Sequence, residues 1–150
     1  MVTSEAVNFL ISTLIILGFI LAYGLGITKF VILYPVILLI QYIVCLGLSL
    51  IVSSVTVFFR DLQHFIGVIL QLLFYATPIV YSIQTIPEQY RWILKINPMT
   101  YIIEGYRDIF YNQCMPDMKM LGIVLAIGIA TCIIGYIIFN KLQKKFAEEL

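Results

Sequence analysis

Polar positions along this chain are few and grouped, and the apolar stretches between them are long. No Asp, Glu, Lys or Arg occurs in residues 6–28, 30–59, 62–87 or 120–140. Each stretch is at least as long as the ~20 residues an α-helix needs to cross a hydrocarbon core of about 30 Å. The pattern predicts four membrane spans: residues 6–27, residues 30–57, a third that starts near Leu62 or Phe65, and residues 120–140. Charge inside a bilayer costs roughly 2.5 kcal/mol or more per ion, so the Arg60-Asp61 pair between spans two and three marks a membrane boundary.

The spans carry internal signals of their own. Tyr23-Gly24-Leu25-Gly26 predicts that span one leaves the bilayer in a tight turn. Span two has some 28 residues, about 42 Å of helix, and must tilt or protrude. Cys45, Ser49 and Ser53 recur at every fourth position of span two, as Gly122, Ala126 and Ala130 do in span four. Small residues at that spacing predict faces where another helix approaches closely. In span three, Thr77-Pro78 interrupts the helix: proline removes a backbone donor and clashes with the preceding turn, so the helix kinks or ends. A membrane tolerates such a break only where protein or water meets the freed carbonyls.

Residues 81–119 are mixed rather than hydrophilic. Thr85-Ile86-Pro87-Glu88 has the spacing of a capping box with proline in the first turn, and predicts a short helix to about Ile96. Asn97-Pro98 repeats the start signal for a helix over residues 98–111. Ile102, Ile103, Tyr106, Ile109 and Phe110 fall on one face, and Thr100, Glu104, Arg107, Asp108 and Tyr111 on the other. Such a helix lies in the membrane interface or dips in as part of a hairpin, and Trp92 fits the aromatic belt there.

Composition sharpens the fold class. The chain is 62% hydrophobic and 11% charged, with a mean hydropathy of +1.05, whereas a soluble domain carries about a quarter charged residues. We expect an all-α, polytopic membrane helix bundle in one domain, with four transmembrane helices plus short external interfacial or re-entrant helices. A net charge of +1 gives no basic field for nucleic acid. The first six residues hold Glu5 and no cation, so span one is read as a retained span rather than a signal peptide. Cys45, Cys114 and Cys132 form no CxxC or Cys/His cluster; free thiols and no metal site are expected.

Lys141, Lys144 and Lys145 directly follow span four, and the positive-inside rule makes that end cytoplasmic. Four spans then put the N-terminus and Arg60-Asp61 on the cytoplasmic side and residues 81–119 outside. The full tally of Lys and Arg disagrees, four inside against five outside, but the C-terminal cluster abuts a span while most outer cations have acidic neighbours.

Little in the chain is equipped for catalysis. Glu104, Arg107 and Asp108 sit at helical spacing, as an exposed and mutually neutralising face does. His64 is read as a solvated imidazole at the water boundary. No Walker A, HExxH or GxSxG pattern occurs. The expectation is therefore no enzyme and no cofactor, with any nucleotide chemistry on a partner. Phe65, Phe74, Tyr75, Tyr81, Tyr101 and Tyr106 offer flat faces that stack on sugar rings; aromatics equally fill helix interfaces and headgroup belts.

The run Phe58-Phe59-Arg60-Asp61-Leu62, then Phe74-Tyr75-Ala76-Thr77-Pro78-Ile79-Val80-Tyr81, Ile86-Pro87-Glu88, Asn97-Pro98 and Tyr106-Arg107 resembles the permease subunits of ABC exporters for polysaccharides, polyol phosphates, O-antigen and teichoic acids. The resemblance covers essentially the whole chain. It implies a permease homodimer with cytoplasmic ABC ATPase subunits that use the ATP, moving a lipid-linked glycan out across the bacterial plasma membrane. By position it places Phe59, Arg60 and Asp61 at the turn that engages the ATPase. It places Pro78 and Tyr81 at the outer end of the channel-lining helix and Asn97, Pro98, Tyr106 and Arg107 near the exit, and among the aromatics Phe74 and Tyr75 are candidates to line the channel. Family permeases usually have six spans after an interfacial cytoplasmic helix, and this chain resembles the last four, so an N-terminally incomplete member is expected. A drug or lipid ABC exporter permease, and a non-transporting membrane scaffold or remnant, are the alternative readings.

Overall fold

Three glycines set the centre of the fold. The computed structural model describes residues 2–22, 29–56, 62–79, 81 and 83–148. Its helices are α1 (Val2–Ala22), α2 (Tyr34–Thr56), α3 (Leu62–Ala76), α4 (Glu88–Ile96), α5 (Pro98–Arg107) and α6 (Met118–Glu148). A short 3-10 helix, Lys29–Leu33, leads into α2, and a π-helical turn, Asp108–Asn112, extends α5. All regular elements among the described residues are helical, as the sequence predicts.

The largest contact in the molecule is between α2 and α6. A Cβ at Gly128 would meet Val44 and Ile43, one at Gly47 would lie 2.7 Å from the backbone nitrogen of Cys132, and one at Gly135 would lie 2.9 Å from the Cβ of Leu50. Partner numbers rise together on both helices, so α2 and α6 run parallel. The Cys132 thiol donates across the seam to the Ile43 carbonyl at 3.2 Å. Lipid offers no hydrophobic gain for helix association, and close backbone approach with dispersion contact supplies it instead.

The close-packing face differs from the one the four-residue repeats predict. Gly122 has nothing within 4 Å of its Cβ position, and Gly122, Ala126 and Ala130 are exposed. Cys45 and Ser49 instead line a cleft of about 340 Å³ against α1, and Ser53 bonds back to Leu50 of its own helix. Small residues permit contact, but contact also requires a partner on that side.

α5 closes one end of the pair. The Cβ position of Gly105 is 3.2 Å from Ile37 and 3.7 Å from Leu121, both in first turns. Ile37, Ile40, Val44, Ile102, Ile109, Leu121 and Val124 form the buried core there. α1 lies antiparallel on α2: Thr3 reaches Tyr42, with 3.2 Å between hydroxyls, while Phe9 sits farther along against Tyr106.

Three helical stretches are long and apolar enough to cross a membrane: Val2–Ile20, Lys29–Thr56 and Met118–Lys141. The third predicted span differs, because α3 stops after 15 residues, about 22 Å at 1.5 Å per residue. Apolar length is not helical length, and Pro78 ends the helix. Topology still requires a crossing there. Since α2 and α6 are parallel, residues 57–117 must return from the side where α2 ends to the side where α6 begins. α3 is the apolar helix described on that return.

The exteriors of these helices are apolar. Ile123, Ile127, Ile133, Ile134 and Ile137 of α6 are among the exposed large hydrophobics, as suits a polytopic bundle facing lipid or another apolar chain. The helix of α6 continues through Lys141, Lys144 and Lys145 to Glu148. At its other end Asp117 accepts from the amides of Lys119 at 3.1 Å and Met120 at 3.2 Å, a cap that satisfies two of the orphan donors of a helix start.

Gly47→Ala is expected to lower the thermal midpoint of the detergent-solubilised protein, at a cost of about 1–3 kcal/mol for overpacking. Gly122→Ala, facing open space, is expected to leave it unchanged or raise it slightly. Equal losses from both variants would misplace the seam.

Candidate functional site

Where α3 ends, the chain faces a problem of unmet carbonyls. A helix leaves its last four C=O groups without intrahelical donors, and here a proline follows within two residues. Side chains take over. The Thr77 hydroxyl donates to the Leu73 carbonyl at 2.6 Å, the Thr77 amide to Phe74 at 3.4 Å, and the Tyr81 hydroxyl to Tyr75 at 2.7 Å. Thr77 is 4% exposed and Pro78 is fully buried, so the turn of the corner itself is held inside the protein.

Two residues at opposite ends of α5 grip the same corner. Asn97 is the N-cap: its side-chain oxygen accepts from the Met99 amide at 3.0 Å, while its side-chain nitrogen donates to the Thr77 hydroxyl at 2.8 Å. Arg107, ten residues later, sends Nη2 to the carbonyls of Pro78 at 2.9 Å and Tyr81 at 3.1 Å. Its Nη1 is buried with no partner among the described residues. Pro98 starts α5 at its first position, where a missing N–H costs nothing. Beneath this corner Thr100, completely buried, donates to the Leu94 carbonyl at 2.7 Å and ties α5 to α4.

The structure therefore brings Pro78, Tyr81, Asn97, Pro98 and Arg107 into one constellation and adds Thr77 to it. Phe74 and Tyr75 stand apart on the outside of α3, paired edge to face at 5.6 Å and well exposed. Tyr106 points elsewhere again. Its ring packs with Phe9, Tyr34 and Phe110 at centroid distances of 5.7, 5.8 and 6.5 Å, and its hydroxyl donates to Gln41 Oε1 at 2.8 Å. Burial, with Tyr34 and Cys45 close by, pushes this phenol well above its ordinary value, so it keeps its proton for that bond. Phe59, Arg60 and Asp61 lie outside the described residues.

Some sequence expectations are corrected here. Thr100 belongs to the buried side of α5, not its polar face. Arg107 serves backbone carbonyls across the corner rather than only balancing Glu104 and Asp108. The Thr85–Glu88 capping box does not form: Pro87 occupies the N-cap of α4 with no side-chain bond, and Glu88 pairs with Arg91 at 3.6 Å. The Arg91 Nε in turn donates to the Ile86 carbonyl at 2.9 Å. The predicted helix 98–111 is α-helical to Arg107 and then widens into the π-turn, which ends at Gln113 with φ 53°.

The electrostatics are modest. Burial first, then the negative charge of Asp108, raises the Glu104 carboxyl above its ordinary range, with Arg107 and Lys95 pulling the other way. Among the described residues no three His, Cys, Asp or Glu side chains group as metal ligands do. The polar side chains of this corner are engaged with backbone carbonyls.

Comparison with known proteins follows the same lines. Residues 1–111 match the family model of the ABC-2 type transporter. Over 99% of its length the chain is 37% identical to an O-antigen export system permease protein RfbA of Klebsiella pneumoniae, and 35% identical to a second protein of that name from the same organism. It is 34% identical to an O-antigen export system permease protein RfbA of Myxococcus xanthus. The chain spans 58% of the length of each of these relatives.

The direction of the Glu104 shift has a consequence for stability. The unfolded chain releases this proton at lower pH than the folded one, so ionisation subtracts from stability. Nothing is lost below the unfolded value, and the full amount is lost above the folded value. Glu104→Gln is therefore expected to raise the melting temperature slightly near pH 7.5, the gain fading on acidification to about pH 3, where the carboxyl is protonated in both states. A gain independent of pH would assign it to something other than this carboxyl.

Proposed function

The chain belongs to the ABC-2 type transporter family, and from that premise we propose that it is a permease subunit of an ABC exporter moving a lipid-linked polysaccharide or polyol phosphate out across the bacterial plasma membrane. The observation that carries this reading is the similarity, over nearly the whole chain, to O-antigen export permeases. The multi-pass helical bundle and the absence of nucleotide-binding motifs in the sequence agree with it. ATP is hydrolysed on a separate cytoplasmic ABC ATPase subunit.

The reading gives the molecule a direction. The ends of α2 and α6 share one side because the helices are parallel, and Lys141, Lys144 and Lys145 assign that side to the cytoplasm. Phe59, Arg60 and Asp61, which follow α2, then face the ATPase, and both chain termini are cytoplasmic. The corner at Thr77–Tyr81 and helices α4 and α5 lie toward the outside, at the exit. Phe74 and Tyr75 lie on the exposed surface of α3, available to line a path completed by a second permease subunit. The almost wholly exposed apolar surface of α3 supports such a homodimer, since one copy leaves it uncovered.

Loss of the protein is expected to abolish surface glycan and to leave lipid-linked glycan on the cytoplasmic leaflet, with restoration by the wild-type gene. Normal surface glycan in the deletion strain would refute the proposal. Within the transporter, reversing the charge pair (Arg60→Asp with Asp61→Arg) is expected to leave ATP hydrolysis running while export stops. Wild-type export from that double variant would remove the pair from the coupling step.

A further inference from the structure

We propose that Asn97 and Arg107 form a releasable clasp on the outer end of α3, and that its opening is the step that lets α3 tilt during export. The proposal rests on the permease reading for its motor, but the clasp itself rests on geometry. Within one subunit α3 is not held along its length: no described side chain between Leu62 and Ala76 is buried, and Phe65, Val68, Leu70, Leu72 and Tyr75 are each at least 58% exposed. What holds its outer end is the corner after Ala76. That corner is gripped at Thr77 by Asn97 and at Pro78 and Tyr81 by Arg107.

The two grips come from opposite ends of one helix. α5 is itself seated on the first turns of α2 and α6 through Gly105, so the clasp fastens a loosely packed helix to the part of the bundle that holds the buried core. A single hydrogen bond would let α3 pivot, whereas two attachment points fix its direction as well as its position.

The clasp is also built to open. Its bonds are polar, directional and few, and α3 itself adds little apolar packing within the subunit. Arg107 presents five donors, yet Nη1 is buried with no partner among the described residues. A rearranged corner that gives Nη1 an acceptor offsets part of the cost of breaking the closed one, so a push on the cytoplasmic end of α3 has few bonds to overcome. Asn97 remains the N-cap of α5 after release, because its side-chain oxygen serves Met99 and only its nitrogen serves Thr77.

The test follows α3 directly. Spin labels at Leu72→Cys on α3 and Ile123→Cys on α6, both exposed positions, are introduced after Cys45, Cys114 and Cys132 are replaced by alanine, in a protein shown to retain export. With the ATPase subunit bound, the clasped protein is expected to give a narrow distance distribution at rest that widens and shifts on ATP turnover. Arg107→Gln is expected to give the wide distribution without ATP and to lose export, with Arg107→Lys intermediate in both. Asn97→Asp, which keeps the cap oxygen and removes the donor, is expected to widen the distribution less than Arg107→Gln. A narrow distribution in Arg107→Gln overturns the clasp, as does a fixed distance in a wild type that exports. Absence of export by the wild type with its ATPase overturns the permease reading and with it the gating role, whereas the resting distances of Arg107→Gln report separately on the grip.

Discussion

Direct backbone contact between α2 and α6 at Gly47, Gly128 and Gly135 is the interaction on which the other elements depend. It makes two parallel helices into one rigid body, and the buried core grows on its starting end, where Ile37 and Leu121 receive α5. α1 is laid on the flank of α2 through Thr3, Phe9 and the cleft beside Cys45. α3 is the exception. It leaves the pair after α2, and at its far end the buried corner at Thr77 and Pro78 is bonded to Asn97 and Arg107.

That division follows from what an apolar solvent allows. Apolar side chains exchange lipid for protein with little gain, so a helix without small residues at a contact has no strong reason to be packed along its length. Backbone polar groups have no such freedom: every carbonyl exposed by the break at Pro78 needs a donor from the protein. Thr77 and Tyr81 supply donors to Leu73, Phe74 and Tyr75, and Arg107 to Pro78 and Tyr81 beyond the break. The residues that look most like a binding site are thus first the residues that make a broken helix tolerable.

Much of this was legible in the sequence. The cost of buried charge writes the spans as gaps between ionised residues, and Pro78 and Asn97-Pro98 act on their own neighbourhoods, so the end of α3 and the start of α5 could be read locally. The four-residue repeats failed because small size marks a surface that can be approached without naming what approaches: Gly122, Ala126 and Ala130 face outward while Gly128 and Gly135 meet α2. The targets of Arg107 lie 26 and 29 residues away, and no local pattern announces them. The same holds for Tyr106, whose partner Gln41 is 65 residues distant. Thr85 and Glu88 had the spacing of a cap, but Pro87 became the capping position itself. Phe59, Arg60 and Asp61 rest on family resemblance alone.

The brevity of α3 bears on the membrane as well as on the protein. A bilayer beside a helix of about 22 Å must thin locally or meet protein at the corner, and hydrophobic mismatch of this size is accommodated at a fraction of a kcal/mol per Å. Either response narrows the low-dielectric barrier on the flank of this helix relative to the lipid around α2 and α6. Among the described membrane-crossing helices, α3 thus presents the shortest apolar column to the lipid.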